Sequence, residues 1–410
     1  MTTGPLAGLR VLDYAQYVAG PFAAMLLADL GAEVIKVEPP RGDAWRHYEP
    51  ITADGGRWFI SLNRNKKSVV ADLKTEEGQQ FSRALLRSAD VVIHNMPPAR
   101  AREFGLDRQS VEAVNPQAVW CCVSAFGTDG PEAPTLGYDL IAQAASGLLL
   151  ADARPGDRVP RRSGGIAMAD LTAGLLTFSA ALLGLADRFR RGGDGTAKGI
   201  EVSLLGAALA VQVQRFVAIG AERDATPPFC DRTRLGQIAG EVRDSDELEP
   251  YYRCYEAADG YIALACLNLA QRTTVANLLG IDDPWAANPQ ARPADAQEHA
   301  ARSALKHRFA EVISTRTVQQ WIATFAESGI PAGPVREISH AHRAEQVRAN
   351  GLVQHIDQPG VGDVSVLGTL FKIDGGATPD AHSAPRLGEH TEALREQLSQ
   401  LHTPEGSTPR

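Results

Sequence analysis

One carboxylate stands where chemistry is possible. In RRSGGIAMADLTAGLLTFSAALLGLADRFRRG, residues 161–192, Asp170 lies at the point where a small, flexible segment gives way to an apolar helical run. An aspartate directly before such a helix is first of all an N-cap, accepting backbone N–H groups and favoured by the positive end of the helix dipole. The same position keeps a carboxylate ionised, and an ionised carboxylate is a nucleophile wherever small neighbours let a substrate approach. Ser163, Gly164, Gly165, Ala167 and Ala169 supply that room. Residue type and position leave both readings open.

Two further groups could bind a ligand. SLNRNKKSVVADLK brings Arg64, Lys66, Lys67 and Lys74 within eleven residues, enough positive charge to hold a phosphate-bearing ligand through charge-assisted hydrogen bonds, or simply a solvated charged face. HNMPP, residues 94–98, puts Asn95 at the end of a candidate strand, where parallel sheets bind ligands, although an asparagine there also serves as a turn residue. Other chemistries find no residues. Cys121, Cys122, Cys230, Cys254 and Cys266 have neither Cys-x-x-Cys nor Cys/His spacing, so no metal site is expected and they read as buried thiols of a reducing compartment. The chain carries no P-loop, no G-x-G-x-x-G after its first strand, no G-x-S-x-G and no H-E-x-x-H. A net charge of −8 argues against a nucleic-acid partner. No uninterrupted apolar run reaches about 18 residues, and MTTGPLAGLRVLDYA lacks the regions of a signal peptide, so the expectation is a cytoplasmic protein without a membrane partner.

The elements that must position these groups follow from periodicity. LRVLDYA, EVIKVEP, KSVVADL, DVVIHNM and AVWCCVSAFG are near-continuous β-rich runs separated by helical runs such as PFAAMLLADLGA and TEEGQQFSRALLRSA. That rhythm predicts βαβ units and a doubly wound, Rossmann-like α/β layer with a mainly parallel sheet. Thr75 is the expected cap of one helix, with Glu76 and Glu77 in its first turn. Two apolar helices are expected from 170 to about 220, DLTAGLLTFSAALLGLADRF and IEVSLLGAALAVQVQRFVAIG, then a charged linker or loop at 221–249. YYRCYEAADGYIALAC reads as a hairpin turning at Asp259-Gly260 within a smaller α/β domain, and GEHTEALREQL as a closing helix. At 410 residues two domains are expected: a large one over 1–220 and 335–410, and a small one over 250–334.

VAGPFAAMLLADLGAEVIKVEPPRGD, NRNKKSVVADLKTEEG, ADVVIHNMPP, FGTDGPEAPTLGYDLIAQAASGLL, GGIAMADLTAGL, ADGYIALAC, GIPAGPV and PRLGEHT resemble, in order, the blocks of the family III CoA-transferases, a group that includes formyl-CoA and carnitine CoA-transferases and the related α-methylacyl-CoA racemases. The resemblance implies that Asp170 is catalytic. It implies a coenzyme A site at Gln16, Val18, Ala19, Ala71, Lys74, Asn95, Met96 and Tyr138, and an interlocked homodimer. The family often carries an arginine directly before the leucine-glycine of its Asn-x-x-Pro-Gly block; RAREFG has Glu103 there and Arg102 one position earlier, which makes Arg102 the candidate phosphate contact. A family glycine-rich loop corresponds loosely to Leu235-Gly236-Gln237.

Racemases of this group resemble one another in a histidine where this sequence has Tyr138, in Gly137-Tyr138-Asp139. The ordinary tyrosine pKa, about 10, suits proton exchange at neutral pH poorly, so the expectation is CoA transfer, with racemisation at the α-carbon as the alternative. The implied route runs through an aspartyl anhydride and an aspartyl-CoA thioester on Asp170. It needs acyl-CoA and a carboxylic acid as substrates and no permanently bound cofactor. Arg161 and Arg162 are candidates to grip a dicarboxylate, with succinyl-CoA as donor by analogy.

Overall fold

The β-rich runs of the first 130 residues become strands and the helical runs between them helices. The computed structural model describes residues 4–52, 55–151, 153–162, 165–192, 196–217, 230–288, 293–374 and 380–401. They belong to two units, Met1–Leu149 with Arg162–Ala225 and Ala344–Arg410, and Leu150–Arg161 with Thr226–Arg343.

The first unit opens with β1 (Arg10–Asp13), α1 (Ala19–Asp29), β2 (Glu33–Glu38), β3 (Pro50–Thr52), β4 (Gly55–Gly56), α2 (Arg57–Asn63), β5 (Lys66–Val70), α3 (Glu76–Leu86) and β6 (Val91–His94). It continues with α4 (Pro98–Glu103), α5 (Arg108–Val114), β7 (Val119–Ser124), α6 (Asp139–Ala145), α7 (Met168–Arg190), β8 (Gly199–Ser203) and α8 (Leu204–Ala210). The second unit contains α9 (Arg232–Leu248), β9 (Tyr252–Ala257), β10 (Gly260–Ala265), α10 (Leu269–Leu279), α11 (Ala296–Ile313), α12 (Val318–Glu327), β11 (Ala332–Pro334) and α13 (Ile338–Ala341). The chain then returns to the first unit with α14 (Glu345–Ala349), β12 (Val353–Gln358), β13 (Gly362–Leu367) and α15 (Thr391–Leu401).

Six described strands of the first unit form a sheet in the order β5-β2-β1-β6-β7-β8, while β3 with β4 and β12 with β13 make two-stranded pairs. Every neighbouring pair is parallel, and Val11 sits in register between Val34 and Val91. This is the order of a doubly wound sheet, whose connections reverse direction between β1 and β6. Successive strand residues point to opposite faces. Val11, Val34, Val91 and Cys121 join Met25 of α1 and Phe178 and Leu185 of α7 in one apolar layer. Leu12, Ile35, Val92 and Cys122 join Phe81 and Leu85 of α3 and Val111 of α5 in the other. Burial on both faces is why these strands read as continuous apolar runs. Thr75 caps α3 by accepting the Gly78 N–H at 3.1 Å.

α1 and α7 cross closely because Gly174 has no side chain. A Cβ there would lie 2.8 Å from Phe22 Cδ1 and 2.9 Å from the Ala19 carbonyl oxygen. At the open edge of the sheet, β5 is covered by chain from the far end of the sequence. His390 N–H donates to the Ser68 carbonyl at 2.9 Å, Val70 N–H donates to Thr391 Oγ1 at 3.0 Å, and Leu394 and Leu398 of α15 enter the second apolar layer.

Two expectations are corrected. The run from 200 onward is not a second long helix: Ile200 and Val202 pair with Cys121 and Val123 as β8, and Ser203 caps the short α8 through a 2.9 Å bond from Gly206 N–H. β-branched residues alternating beside an exposed sheet edge favour the strand. The stretch expected as a linker at 221–249 holds α9, capped by Asp231, which accepts the Arg234 N–H at 2.8 Å. Leu235 and Ala239, one turn apart, are buried with Ala153; residues 221–229 lie outside the described ones. In the second unit, β9 and β10 form the hairpin, with Gly260 opposite Ala257, and β11 completes an antiparallel sheet over a core that includes Tyr251, Phe309, Trp321 and Phe325. This unit begins before and ends after the 250–334 domain read from the sequence.

Candidate active site

A cavity of about 430 Å³ lies in the first unit, walled by the segments that follow β1, β2, β5, β6 and β7. It therefore opens at the carboxyl ends of the strands and at the β1/β6 reversal, where doubly wound sheets bind ligands.

After β1 come Gln16, Tyr17, Val18 and Ala19, all in the wall. Asn95, after β6, clasps this loop: its Oδ1 accepts the Gln16 N–H at 3.0 Å and its Nδ2 donates to the Gln16 carbonyl at 2.8 Å. Asn95 thus lines the cavity with both ends of its amide already engaged. Tyr17 has a φ of 70°, a left-handed backbone that is an outlier for a bulky residue. Its N–H is accepted by Asp43 Oδ1 at 3.3 Å, and its ring stands edge-on to Trp45 and Tyr138, with centroids 5.6 and 5.5 Å away.

The basic cluster has a different purpose from the one its charge suggested. Arg64 is buried against Asp29, Lys66 bonds Asp13 at 2.8 Å, and Lys67 bonds Glu33 at 2.6 Å. Buried cations persist when paired and hydrogen-bonded, and Lys66 also donates to the Pro21 carbonyl at the start of α1. Lys36, 2.8 Å from Asp43 and bonded to the Ala15 carbonyl, ties the same loop from below. Of the four basic residues only Lys74 lines the cavity, together with Ala71. Met96 and Tyr138 are also in the wall.

Arg102 is exposed on α4 and is not among the residues lining the cavity; Arg100, from the same helix, is. Two positions on a helix differ by about 200° around its axis, so the two arginines point to opposite sides. Arg161 is ion-paired to Asp157 within the second unit. Arg162 is exposed, donates to the Gly165 carbonyl, and does not line the cavity. Gly236 and Gln237 are exposed on α9 in the second unit; Ser163 and Gly164 lie outside the described residues.

Asp170 lines the cavity as the third residue of α7. It does not cap its own helix. The acceptor at the helix start is Asp139 from α6, whose Oδ1 takes the N–H groups of Ala169 at 2.9 Å and Asp170 at 3.3 Å. Among the described residues no hydrogen bond or ion pair engages the Asp170 carboxylate itself. Burial, with a second contribution from the Asp139 charge, pushes its pKa up to about 7. A half-buried carboxylate with no partner, open to a cavity, is a nucleophile or a base rather than a scaffold. The N–H groups of the first turn are taken, by Ile166 O for Met168 and by Asp139 for the next two, so the helix start is not the oxyanion site that its position invites. No cluster with metal-ligand composition occurs among the described residues.

Arg100 and Tyr17 are wall residues that the sequence reading missed. The resemblance pointed to Arg102 on the same short helix, and nothing in residue order signals a left-handed tyrosine.

A profile for CoA-transferase family III matches residues 6–391. The succinyl-CoA:glutarate CoA-transferase of Mus musculus is 33% identical over 404 residues, 96% of this chain and 86% of that protein. The succinate–glutarate CoA-transferase of Agrobacterium fabrum is 33% identical, covering 97% of this chain and 96% of its own length. The succinyl-CoA–D-citramalate CoA-transferase of Chloroflexus aurantiacus is 31% identical over 95% of this chain and 93% of its own. Among solved structures, a CaiB/BaiF family protein from Brucella suis superposes with a TM-score of 0.74 at 31% identity, covering 97% of this chain and all of that one, 100%.

Proposed function

The chain belongs to CoA-transferase family III, and on that premise we propose that it moves coenzyme A from succinyl-CoA to a short dicarboxylic acid through covalent intermediates on Asp170. The observation that carries this reading is the Asp170 carboxylate, without a partner among the described residues, in a cavity at the carboxyl ends of the strands.

Asp170 attacks the thioester carbonyl; the C–S bond breaks, CoA leaves as thiolate, and a mixed aspartyl-succinyl anhydride remains. The thiolate attacks the aspartyl carbonyl of that anhydride, expelling succinate and leaving an aspartyl-CoA thioester. The acceptor carboxylate attacks this thioester, releasing thiolate and forming a second anhydride. Thiolate then attacks the acceptor carbonyl, producing the new acyl-CoA and restoring the Asp170 carboxylate. No proton or electron is gained or lost, and holding CoA beside the anhydride makes each return attack effectively intramolecular. Lys74 and Arg100 are the cations of the wall suited to the phosphates of CoA. Gln16, Val18, Ala19, Ala71, Asn95, Met96 and Tyr138 complete the CoA site, and Arg162 is a candidate contact for the distal carboxylate of the acceptor. The dicarboxylate class is supported by the glutarate and citramalate named in the relatives.

Only ionised Asp170 attacks, so transfer falls as pH drops below about 7. With succinyl-CoA and glutarate, Asp170→Ala is expected to lose transfer by about 1,000-fold or more while still binding CoA by calorimetry, and borohydride reduction of turning-over enzyme labels Asp170 in a peptide mass spectrum. Turnover retained in that variant overturns the reading.

A further inference from the structure

The first turn of α7 is held by a residue from another helix. Asp139, the first residue of α6, is 9% exposed. One of its oxygens accepts the Ala169 and Asp170 N–H groups, and the other accepts Gln143 Nε2 at 2.7 Å. All three contacts are of the kind a carboxylate makes, since it only accepts. We propose that Asp139 is the positioning residue for Asp170, a role that rests on Asp170 being the nucleophile. It fixes the turn from which the Asp170 side chain reaches the cavity, and its negative charge makes the Asp170 carboxylate a stronger nucleophile.

Like charges held close raise the basicity of each other's carboxylates, and Asp170 shows the result, with burial the larger cause and Asp139 the second. Among the described residues no other charge has that access. α1 packs against α7, but its ionisable residue, Asp29, is at its far end and bound to Arg64. α8 has no ionisable residue; β7 offers the buried thiols of Cys121 and Cys122, and Glu201 of β8 is bonded to Thr128. On α7 itself, Asp187, Arg188 and Arg190 lie at the opposite end. In the cavity wall Glu38, Asp72, Lys74, Arg100, Tyr17 and Tyr138 make no hydrogen bond or ion pair with Asp170 among the described residues.

Asp139→Asn separates geometry from charge. Its amide oxygen still accepts the two backbone N–H groups, and its new donor faces Gln143, whose Oε1 is buried without a partner and accepts it once the Gln143 amide rotates. The experiment compares wild type and Asp139→Asn by kcat/KM against pH with succinyl-CoA and glutarate, and by carbodiimide labelling of Asp170 against pH, which needs no substrate. The acid limb and the labelling midpoint are expected to move down by about one pH unit or more, with plateau kcat reduced several-fold and KM little changed. Profiles that stay where they are in a folded Asp139→Asn overturn the proposal. If that variant fails to fold, Asp139→Ser, a neutral cap, carries the same comparison. Asp170→Ala is measured alongside: turnover retained there overturns the nucleophile itself, whereas unmoved profiles beside an inactive Asp170→Ala overturn only the role of Asp139.

Discussion

Tyr17 holds a backbone conformation that costs a non-glycine residue about 1 kcal/mol or more, and it does so in the wall that Asp170 shares. Three contacts keep it there: the bond from its N–H to Asp43 and the edge-on rings of Trp45 and Tyr138. The strain and the packing can be separated. Tyr17→Ala removes the rings' partner and keeps the strain, whereas Tyr17→Gly removes both. In denaturant unfolding the glycine variant is therefore expected to be more stable than the alanine variant by about 1 kcal/mol, and the reverse order would mean that the left-handed turn relaxes. Sequence made Asp170 visible because its small neighbours and following apolar run are local features. It did not make Asp139 visible as the cap, because that bond joins residues thirty or so positions apart, and it left Tyr17 silent because φ is set by the loop's anchors rather than by residue type.

At the scale of elements, the wall residues Val18 and Ala19 stand at the start of α1, and α1 is placed by its crossing with α7. Gly174→Ala drives a methyl into Phe22 and the Ala19 carbonyl. The cost is expected to be about 1 to 3 kcal/mol in thermal or denaturant unfolding, accompanied by weaker CoA binding by calorimetry because the displaced segment is the wall itself. Stability lost with CoA affinity intact would show that α7 absorbs the methyl and the wall does not move. The parallel βαβ layer was legible because both faces of each strand are buried, which writes itself into the sequence as unbroken apolar runs. The end of the sheet was less legible: apolar residues from 200 onward satisfy a helical pattern as well as a strand, and the pairing of Ile200 with Cys121 decides it. The basic cluster misled for a related reason, since charge alone does not say whether a lysine meets solvent or, like Lys66, a buried aspartate.

At the scale of the whole molecule, α7 is apolar and long enough to cross a membrane by composition, yet one side of it packs on α1, α8 and β7. Its other side leaves Leu175, Leu176, Leu183 and Phe189 exposed, and Val213, Phe216 and Val217 are exposed further on. A second copy of the chain is the expected cover for these residues. Light scattering behind a sizing column is expected to give twice the 43.9 kDa chain mass, and Leu183→Glu with Phe216→Asp to shift it toward one chain; a wild-type mass of a single chain would refute the assembly. The strap along β5 bears on how such a molecule is made. Ser68 and Val70 are translated early, yet the groups that pair with their outer edge, the His390 N–H and the Thr391 hydroxyl, arrive late. A ribosome adding about 5 to 20 residues per second leaves that hydrogen-bonding edge bare for tens of seconds. A nascent chain in that interval presents the kind of edge that recruits other strands.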